Sequence, residues 1–179
     1  MKVKQKPILD RYPAVPSRLT SAPQDATPAV LPGSQVFLIP GAYYIAHVLE
    51  ELPGFVEWSS RHFSPITSGT FATFEILSLL LVFFASHKSL IKQRHGAWVV
   101  LAVAAQFQFA LNALFHLTTA IVFTEYSPGM VTGVAVGIPV TIYFMKRVWG
   151  EQRVTRREMT IALALGMAIA GAAVGLLFV

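Results

Sequence analysis

The chain has no cysteine, and few of its 179 residues carry a charge. The absence of cysteine excludes disulfide bonds, thiolate metal sites and cysteine nucleophiles. Charged residues make up 13% of the chain, against about 25% in a typical soluble domain, whereas 54% of the residues are hydrophobic. This composition favours an integral membrane protein over a soluble one, because each membrane-spanning helix needs about 20 mostly apolar residues.

Apolar runs are also missing from the first 33 residues, which contain six prolines and five basic residues. A secretory signal needs an apolar core close to the N-terminus, so this segment does not fit one. Its composition predicts a disordered, proline-rich basic tail over residues 1–33, followed by a membrane bundle over residues 34–179. We expect the tail to be solvated and to help orient the protein; a partner-docking arm is the alternative.

Five apolar segments follow the tail and predict an all-α, polytopic transmembrane helical bundle of about five spans. The second, third and fifth are long enough to cross a hydrocarbon core of about 30 Å, and the fourth is close to the short limit. Pro40-Gly41 interrupts the first segment, so a kinked span or a helix entered from an extended segment is expected there. The segments are approximately 35–52, 66–86, 96–123, 129–145 and 159–179.

Basic residues mark one side of this bundle. If five spans alternate, thirteen of the fourteen lysines and arginines fall on the side of the N-terminal tail, and only Arg61 falls on the other. By the positive-inside rule the N-terminus is cytoplasmic and the C-terminus lies on the far side. The net charge of +5 therefore indicates contact with anionic lipid rather than with nucleic acid. We expect an integral protein of the bacterial inner membrane.

Glycines recur every four residues in two of the segments. Gly129, Gly133 and Gly137 form one strip, and Gly171 and Gly175 form another. In lipid, small residues let helix backbones approach closely. We expect these strips to pack helices within one chain; a homo-oligomer that pairs chains through them is the alternative.

Ionisable and amide side chains interrupt three of the predicted spans in the outer half of the bundle. Exposing such a group to lipid costs several kcal/mol, so we expect these side chains to face the bundle interior. Taken singly, each also fits an interfacial position or an interhelical hydrogen bond, but their shared depth favours one polar site. The residues are His47, Glu50 and Glu51 in the first segment, Glu75 in the second, and Asn112 and His116 in the third.

Two histidines and up to three carboxylates form a ligand set suited to zinc, iron or manganese. We expect a single divalent ion held by His47, His116 and either Glu50 or Glu51; a site that bridges two ions with the glutamates is the alternative. The glutamate that does not bind the ion would act as general base. Without a metal, a buried carboxyl and a histidine would form an acid–base pair. The candidate catalytic residues are Glu50, Glu51, Glu75 and Asn112.

Three blocks of the chain resemble the HXXEE family of small integral membrane proteins. They are HVLEELPGF with Trp58 and RHF just after it, LNALFHL in the third segment, and YSPGMVTGVAVGIPVTIY in the fourth. The resemblance covers roughly residues 42–145, so the tail and the fifth segment lie outside it. It implies a membrane bundle but no particular reaction. The characteristic polar residues that it implies are His47, Glu50, Glu51, Asn112 and His116.

The sequence therefore predicts a membrane-embedded, metal-dependent enzyme that acts on a lipophilic small molecule by hydrolysis, cyclisation or isomerisation. Metal-free acid–base catalysis by a Glu/His pair on the same kind of molecule is the first alternative. A carrier for protons, metal ions or small solutes is the second, although no internal repeat supports it. A purely structural subunit is the third, and the clustered polar groups disfavour it.

Overall fold

The computed structural model describes residues 33–179, and within this range the regular elements are all helices. The predicted all-α bundle is therefore confirmed. The predicted disordered tail, residues 1–33, lies outside the described residues except for its last glycine. In chain order the elements are a 3₁₀ turn (Ser34–Leu38), α1 (Ile39–Glu51), α2 (Phe55–His62), α3 (Ser68–Lys92), α4 (Ala97–Phe123), a π-helical segment (Val131–Gly137) that continues into α5 (Ile138–Gly150), and α6 (Arg156–Gly175) with a final 3₁₀ turn (Leu176–Phe178).

Four helices in the described part of the chain are long and apolar enough to cross a membrane. Their outward faces are apolar: on α3, for example, Leu77 and Leu80 are 63% and 62% exposed. Such faces are suited to contact with lipid acyl chains rather than with water. The four are α3, α4, the π segment together with α5 (Val131–Gly150), and α6 with its final turn (Arg156–Phe178).

The first predicted span is a continuous helical segment shorter than these four. The 3₁₀ turn contributes 5 residues and α1 contributes 13. At about 2.0 and 1.5 Å per residue, the two together extend roughly 30 Å. Pro40 lies in the first turn of α1, where no helical N–H bond is lost. The Pro-Gly pair thus marks the start of an α-helix and does not break the segment.

Polar contacts define the two ends of the bundle. The Arg153 guanidinium donates hydrogen bonds to the Gln93 carbonyl at 2.9 Å and to the Ser34 hydroxyl at 3.3 Å. The α3–α4 and α5–α6 connections therefore share one end with the start of the first helical segment. At the opposite end the Ser64 N–H donates to the Leu177 carbonyl at 2.8 Å. Successive long helices therefore run in alternating directions, as the assignment of the basic residues to one side assumes.

Helix α4 lies at the centre of the bundle and packs against α1, α3, α5 and α6. Ala102, Ala104 and Ala113 on this helix are completely buried. Gly166 of α6 lies so close that an added Cβ would be 2.8 Å from the Ala104 carbonyl oxygen. Small residues thus allow close backbone approach, as is common where helices pack in lipid.

The glycine strip of the fourth segment packs within the chain. A Cβ on Gly133 would lie 3.2 Å from Ala113 Cα on α4, and one on Gly137 would overlap Tyr43 on α1. In-chain packing is therefore observed for these two glycines. Gly129 precedes the helical segment and has a φ of 98°, so it is not part of a helical strip.

The strip in α6 differs from the first one. Among the described residues, a Cβ added to Gly171 or Gly175 would meet no neighbouring atom within 4 Å. This strip therefore faces away from the other helices, and pairing of chains through it stays a prediction.

Candidate metal centre

His47, Glu51 and His116 meet at one buried point between α1 and α4. Glu51 Oε1 lies 3.4 Å from His47 Nε2 and 3.1 Å from His116 Nε2. His47 and Glu51 are one turn apart and so share a face of α1, while His116 projects from α4. The three residues are 1%, 5% and 0% exposed in that order. The structure thus brings together both predicted histidines and one of the two adjacent glutamates.

Asn112, one turn before His116 on α4, contacts both rings. Its amide nitrogen lies 2.8 Å from His47 Nε2 and 3.2 Å from His116 Nε2. An amide nitrogen can only donate hydrogen bonds, so Asn112 donates to an Nε2 atom that carries no proton. A neutral ring with its proton on Nδ1 leaves the Nε2 lone pair for this N–H or for an ion, whereas a ring with its proton on Nε2 donates to Glu51 Oε1.

Hydroxyl groups hold the other side of each ring. With the ring protons on Nδ1, His47 donates to Thr132 Oγ1 and His116 donates to Ser127 Oγ, both at 2.9 Å. Bonds of this kind fix the orientation of a ligating histidine and direct its Nε2 lone pair toward the ion. Ser127 lies in the α4–π connection and Thr132 at the start of the π segment, so this one stretch of chain positions both rings.

Gly129 lets the same stretch pass close to the rings. An added Cβ would lie 2.9 Å from Nε2 and Cε1 of His116 and from Cε1 of His47. The φ of 98° is also one that side-chain-bearing residues rarely adopt. Glycine is therefore required here both for space and for backbone conformation.

The resulting cluster fits a divalent cation. One ligand atom from each of the three residues lies within 4.8 Å of the other two. With the ring protons on Nδ1, each Nε2 has one lone pair, which an ion can take in place of the Asn112 N–H. The two N–O separations of 3.4 and 3.1 Å are close to about 3.3 Å, the edge of a tetrahedron with ligand bonds of ~2.0–2.1 Å. Asn112 borders the cluster as well, through its contacts with both rings. Two histidines, one glutamate and an open position form a familiar zinc ligand set.

Glu50, which was also predicted as a ligand, lies outside the cluster of His47, Glu51 and His116. Its carboxylate accepts hydrogen bonds from the N–H groups of Val131 and Thr132, at 2.9 and 2.6 Å, and from the Tyr126 hydroxyl. It therefore caps the N-terminus of the π segment, where a negative charge is favourable. Adjacent residues of a helix point about 100° apart, and here Glu51 turns toward His47 while Glu50 turns toward the π segment.

Tyr126 completes this cap from the α4–π connection. Partial burial, followed by the bond to the Glu50 carboxylate, raises the pKa of Tyr126 to about 12. The phenol therefore stays protonated, and able to donate to Glu50, at any physiological pH.

Glu75 lies on the wall of a cavity that the cluster adjoins. The Tyr44 hydroxyl donates to Glu75 Oε2 at 2.7 Å. The cavity has a volume of about 300 Å³, and His47, Glu51 and Asn112 also line it. Glu75 is therefore not grouped with the ion ligands but shares a cavity with them.

A second His–Glu pair lies at the rim and is separate from the cluster. His62 Nε2 is 2.6 Å from Glu125 Oε1, and the His62 ring stacks on Phe123 with centroids 3.8 Å apart. The bond to His62, and then that to Arg61, keeps the pKa of the Glu125 carboxyl below its ordinary value. This pair connects α2 to the end of α4.

Sequence reasoning gave no role in the site to four residues that shape it: Tyr44, Ser127, Gly129 and Thr132. Gly129 was predicted only as part of a packing strip. Hydroxyl side chains carry little cost in apolar helices and so do not stand out there. The available signal was the Ser-Pro-Gly turn, which comes directly between two apolar segments and ahead of a threonine.

Residues 38–144 match the model of a family described as "Protein of unknown function with HXXEE motif". A curated relative, an uncharacterised protein called YrkK from Bacillus subtilis (strain 168), is 26% identical over 138 residues, which cover 74% of this chain and 86% of the relative. No solved structure matches the chain. The family match spans more than half of the chain and includes the whole cluster, and the chain belongs to the HXXEE family.

Proposed function

We propose that this member of the HXXEE family is a membrane-embedded enzyme that uses a divalent metal ion and acts on a lipophilic small molecule. The observation that carries the proposal is the group of three buried atoms that can each donate a lone pair to an ion, one each on His47, Glu51 and His116. Burying a carboxylate beside two unprotonated ring nitrogens costs several kcal/mol unless a cation lies among them. A divalent ion is the cation that this ligand set favours.

The chain's own residues have distinct roles under this proposal. Thr132 and Ser127 fix the two rings, and Glu75, held by Tyr44, lines the substrate cavity as a proton donor or acceptor. When bound, the ion would polarise an oxygen of the substrate as a Lewis acid. The reaction is a hydrolysis, or a cyclisation or isomerisation in which a proton moves to or from Glu75.

Metal-free acid–base catalysis is a second candidate, in which a proton takes the place of the ion. The Tyr44–Glu75 hydrogen bond favours it, because it places a carboxyl beside the cavity independently of the cluster. Here a histidine of the cluster and Glu75 would exchange protons with the substrate. A chelator that abolishes turnover would eliminate this candidate.

Metal analysis of the purified protein tests the leading proposal. After exposure to zinc, iron(II) or manganese and removal of the excess, the wild type should retain about one ion per chain. Glu51→Gln and His116→Ala each remove a ligand and should weaken binding by at least about 100-fold. Elemental mass spectrometry over a titration of the free ion measures this.

His87→Ala is the matched control, because His87 is an exposed histidine near the C-terminal end of α3 and is not part of the cluster. It should bind the ion like the wild type. Circular dichroism and monodisperse elution show that each variant is folded. The proposal fails if the wild type retains no ion, or if folded His116→Ala retains as much as the wild type.

A further inference from the structure

The walls of the cavity beside the cluster differ in chemistry. Helices α1, α3 and α4 contribute its ionisable and amide side chains, among them Glu51, Glu75 and Asn112. Every residue that α6 and its final turn contribute is apolar, including Ile169, Ala173 and Leu177. A ligand that fills this space needs a polar group for the first set of walls and an apolar part for the α6 wall.

The rim of the cavity indicates the side from which a ligand enters. Helices α3 and α6 both pack on α4, and residues of all three line the cavity. Phe74 and Leu81 of α3 and Leu176 after α6 line it too and are 44%, 53% and 58% exposed. Since these residues are apolar and lie on membrane-spanning elements, the rim between α3 and α6 faces lipid.

The α6 wall is also distinct in its relation to the family. The family match ends at residue 144, so it includes the cluster and Glu75 but none of α6. Because α6 contributes no polar side chain to the cavity, changes there alter which apolar part fits without altering the polar site.

We infer that the cavity takes a single-chain amphiphile from the bilayer, a molecule with one polar group and one linear apolar chain, and that α6 selects the chain at Ala173. The inference rests on the proposed function for the role of the polar end. A volume of about 300 Å³ is at the lower end of the ~300–1,000 Å³ range of ligand pockets. It suits one chain and not a two-chain phospholipid.

Photolabelling with linear alcohols that carry a diazirine tests this inference. The probes are an octyl and a hexadecyl alcohol, added to the purified full-length protein in lipid nanodiscs, and labelled residues are mapped by mass spectrometry. In the wild type both alcohols should label cavity-lining residues of α3 and α6. In Ala173→Leu the added methyl groups occupy the cavity, so labelling by the hexadecyl alcohol should fall by about tenfold, and labelling by the octyl alcohol should fall less.

Ala172→Leu is the matched control. Ala172 is exposed and does not line the cavity, so the same substitution one residue away adds its bulk on the lipid side. This variant should be labelled like the wild type. Equal labelling of the two variants, or wild-type labelling confined to outward-facing residues, overturns the inference.

The metal content of the same samples separates this inference from the proposed function. An alcohol is a weak metal ligand, so its labelling does not depend on the ion. If Ala173→Leu and Ala172→Leu are labelled equally and each chain retains one ion, chain selection by α6 is overturned and the metal proposal stands. The opposite outcome is a wild type that retains no ion while labelling by the hexadecyl alcohol is still about tenfold lower in Ala173→Leu than in the wild type. That result overturns the metal proposal and supports the cavity as an amphiphile site.

Discussion

At the scale of single residues, Gly129 is under the tightest constraint near the cluster. Its position combines a φ of 98° with a Cβ site 2.9 Å from atoms of both His47 and His116. A side chain here strains the backbone and also displaces the two rings that present the lone pairs. The cluster therefore depends on a residue that has no functional group.

Gly129→Ala should weaken metal binding by about tenfold or more and lower the free energy of unfolding by about 1–3 kcal/mol, because the new methyl group displaces the rings. Metal titration and denaturant unfolding measure the two effects. Gly96→Ala is the control: Gly96 has a φ of 96°, but a Cβ there would meet no atom of residues 33–179 within 4 Å. Equal loss of metal affinity in both variants would show that ring displacement is not the cause.

The sequence predicts His47, His116 and Asn112 as a group because such side chains are costly in apolar helices unless they face one another. It does not distinguish Glu50 from Glu51, since residues three and four positions after His47 both lie on its side of the helix. The distinction depends on where the N–H groups of Val131 and Thr132 come to lie, and these are distant in the chain. Only the fold supplies that information.

At the scale of elements, Glu50 connects the end of α1 to the start of the π segment. The connection continues into the site, because Thr132 uses its N–H to bind Glu50 and its hydroxyl to accept from His47. The two adjacent glutamates of the motif thus have different tasks. Glu51 belongs to the cluster, and Glu50 positions a partner of the cluster.

Glu50→Gln should weaken metal binding by about 10–100-fold, because loss of the charged acceptor loosens Thr132 and with it the His47 ring. Isothermal titration with zinc measures the change. Glu57→Gln is the control, because Glu57 is an exposed glutamate of α2 that pairs with Arg61 at 3.0 Å. This substitution should leave the zinc affinity almost unchanged. Wild-type affinity in Glu50→Gln would contradict the positioning role.

Hydropathy located every long helix, but it did not reveal how the fourth one begins. The expected span of 129–145 is a helix over Val131–Gly150 whose first seven residues are π-helical. Apolar content is the same for α- and π-helical turns, so the pattern carries no signal for this difference. The first segment was uncertain for a similar reason, since Pro40 fits either a kink or a helix start.

At the scale of the whole molecule, the helices alternate so that the basic connections share one end. Because the natural chain lacks cysteine, single cysteines can report which end faces the cytoplasm. Ser68, at the start of α3, lies toward the end of the bundle where α1 finishes, and Gln152 lies in the α5–α6 connection at the other end. Both side chains are exposed.

In intact cells a membrane-impermeant maleimide should label Ser68→Cys, and it should label Gln152→Cys only after the membrane is permeabilised, because basic connections stay cytoplasmic. Gel-shift detection of the modified protein reads this out. The reverse pattern would contradict the orientation, and labelling of both variants in intact cells would contradict a spanning bundle.

The alternating direction of the helices can be predicted from the sequence, because the basic residues and the lengths of the apolar segments can both be read from it. The cavity does not follow, because its existence depends on α3 and α6 both packing on α4 while leaving space between them. Side-chain periodicity indicates which face of a helix is buried but not which neighbour covers it. The binding of a second copy and the transport of a solute are not decided by these contacts and stay predictions.

The π segment links the cluster to the far half of the bundle through its register. Upstream, Thr132 accepts from His47; downstream, Gln106 donates to Thr141 at 2.8 Å. Winding the same residues as an ordinary α-helix would turn the downstream part relative to Thr132, because an α-helical residue advances by about 100° about the axis and a π-helical residue by less. One of the two pairs would then separate, so the wider π winding is what lets both threonines reach their partners.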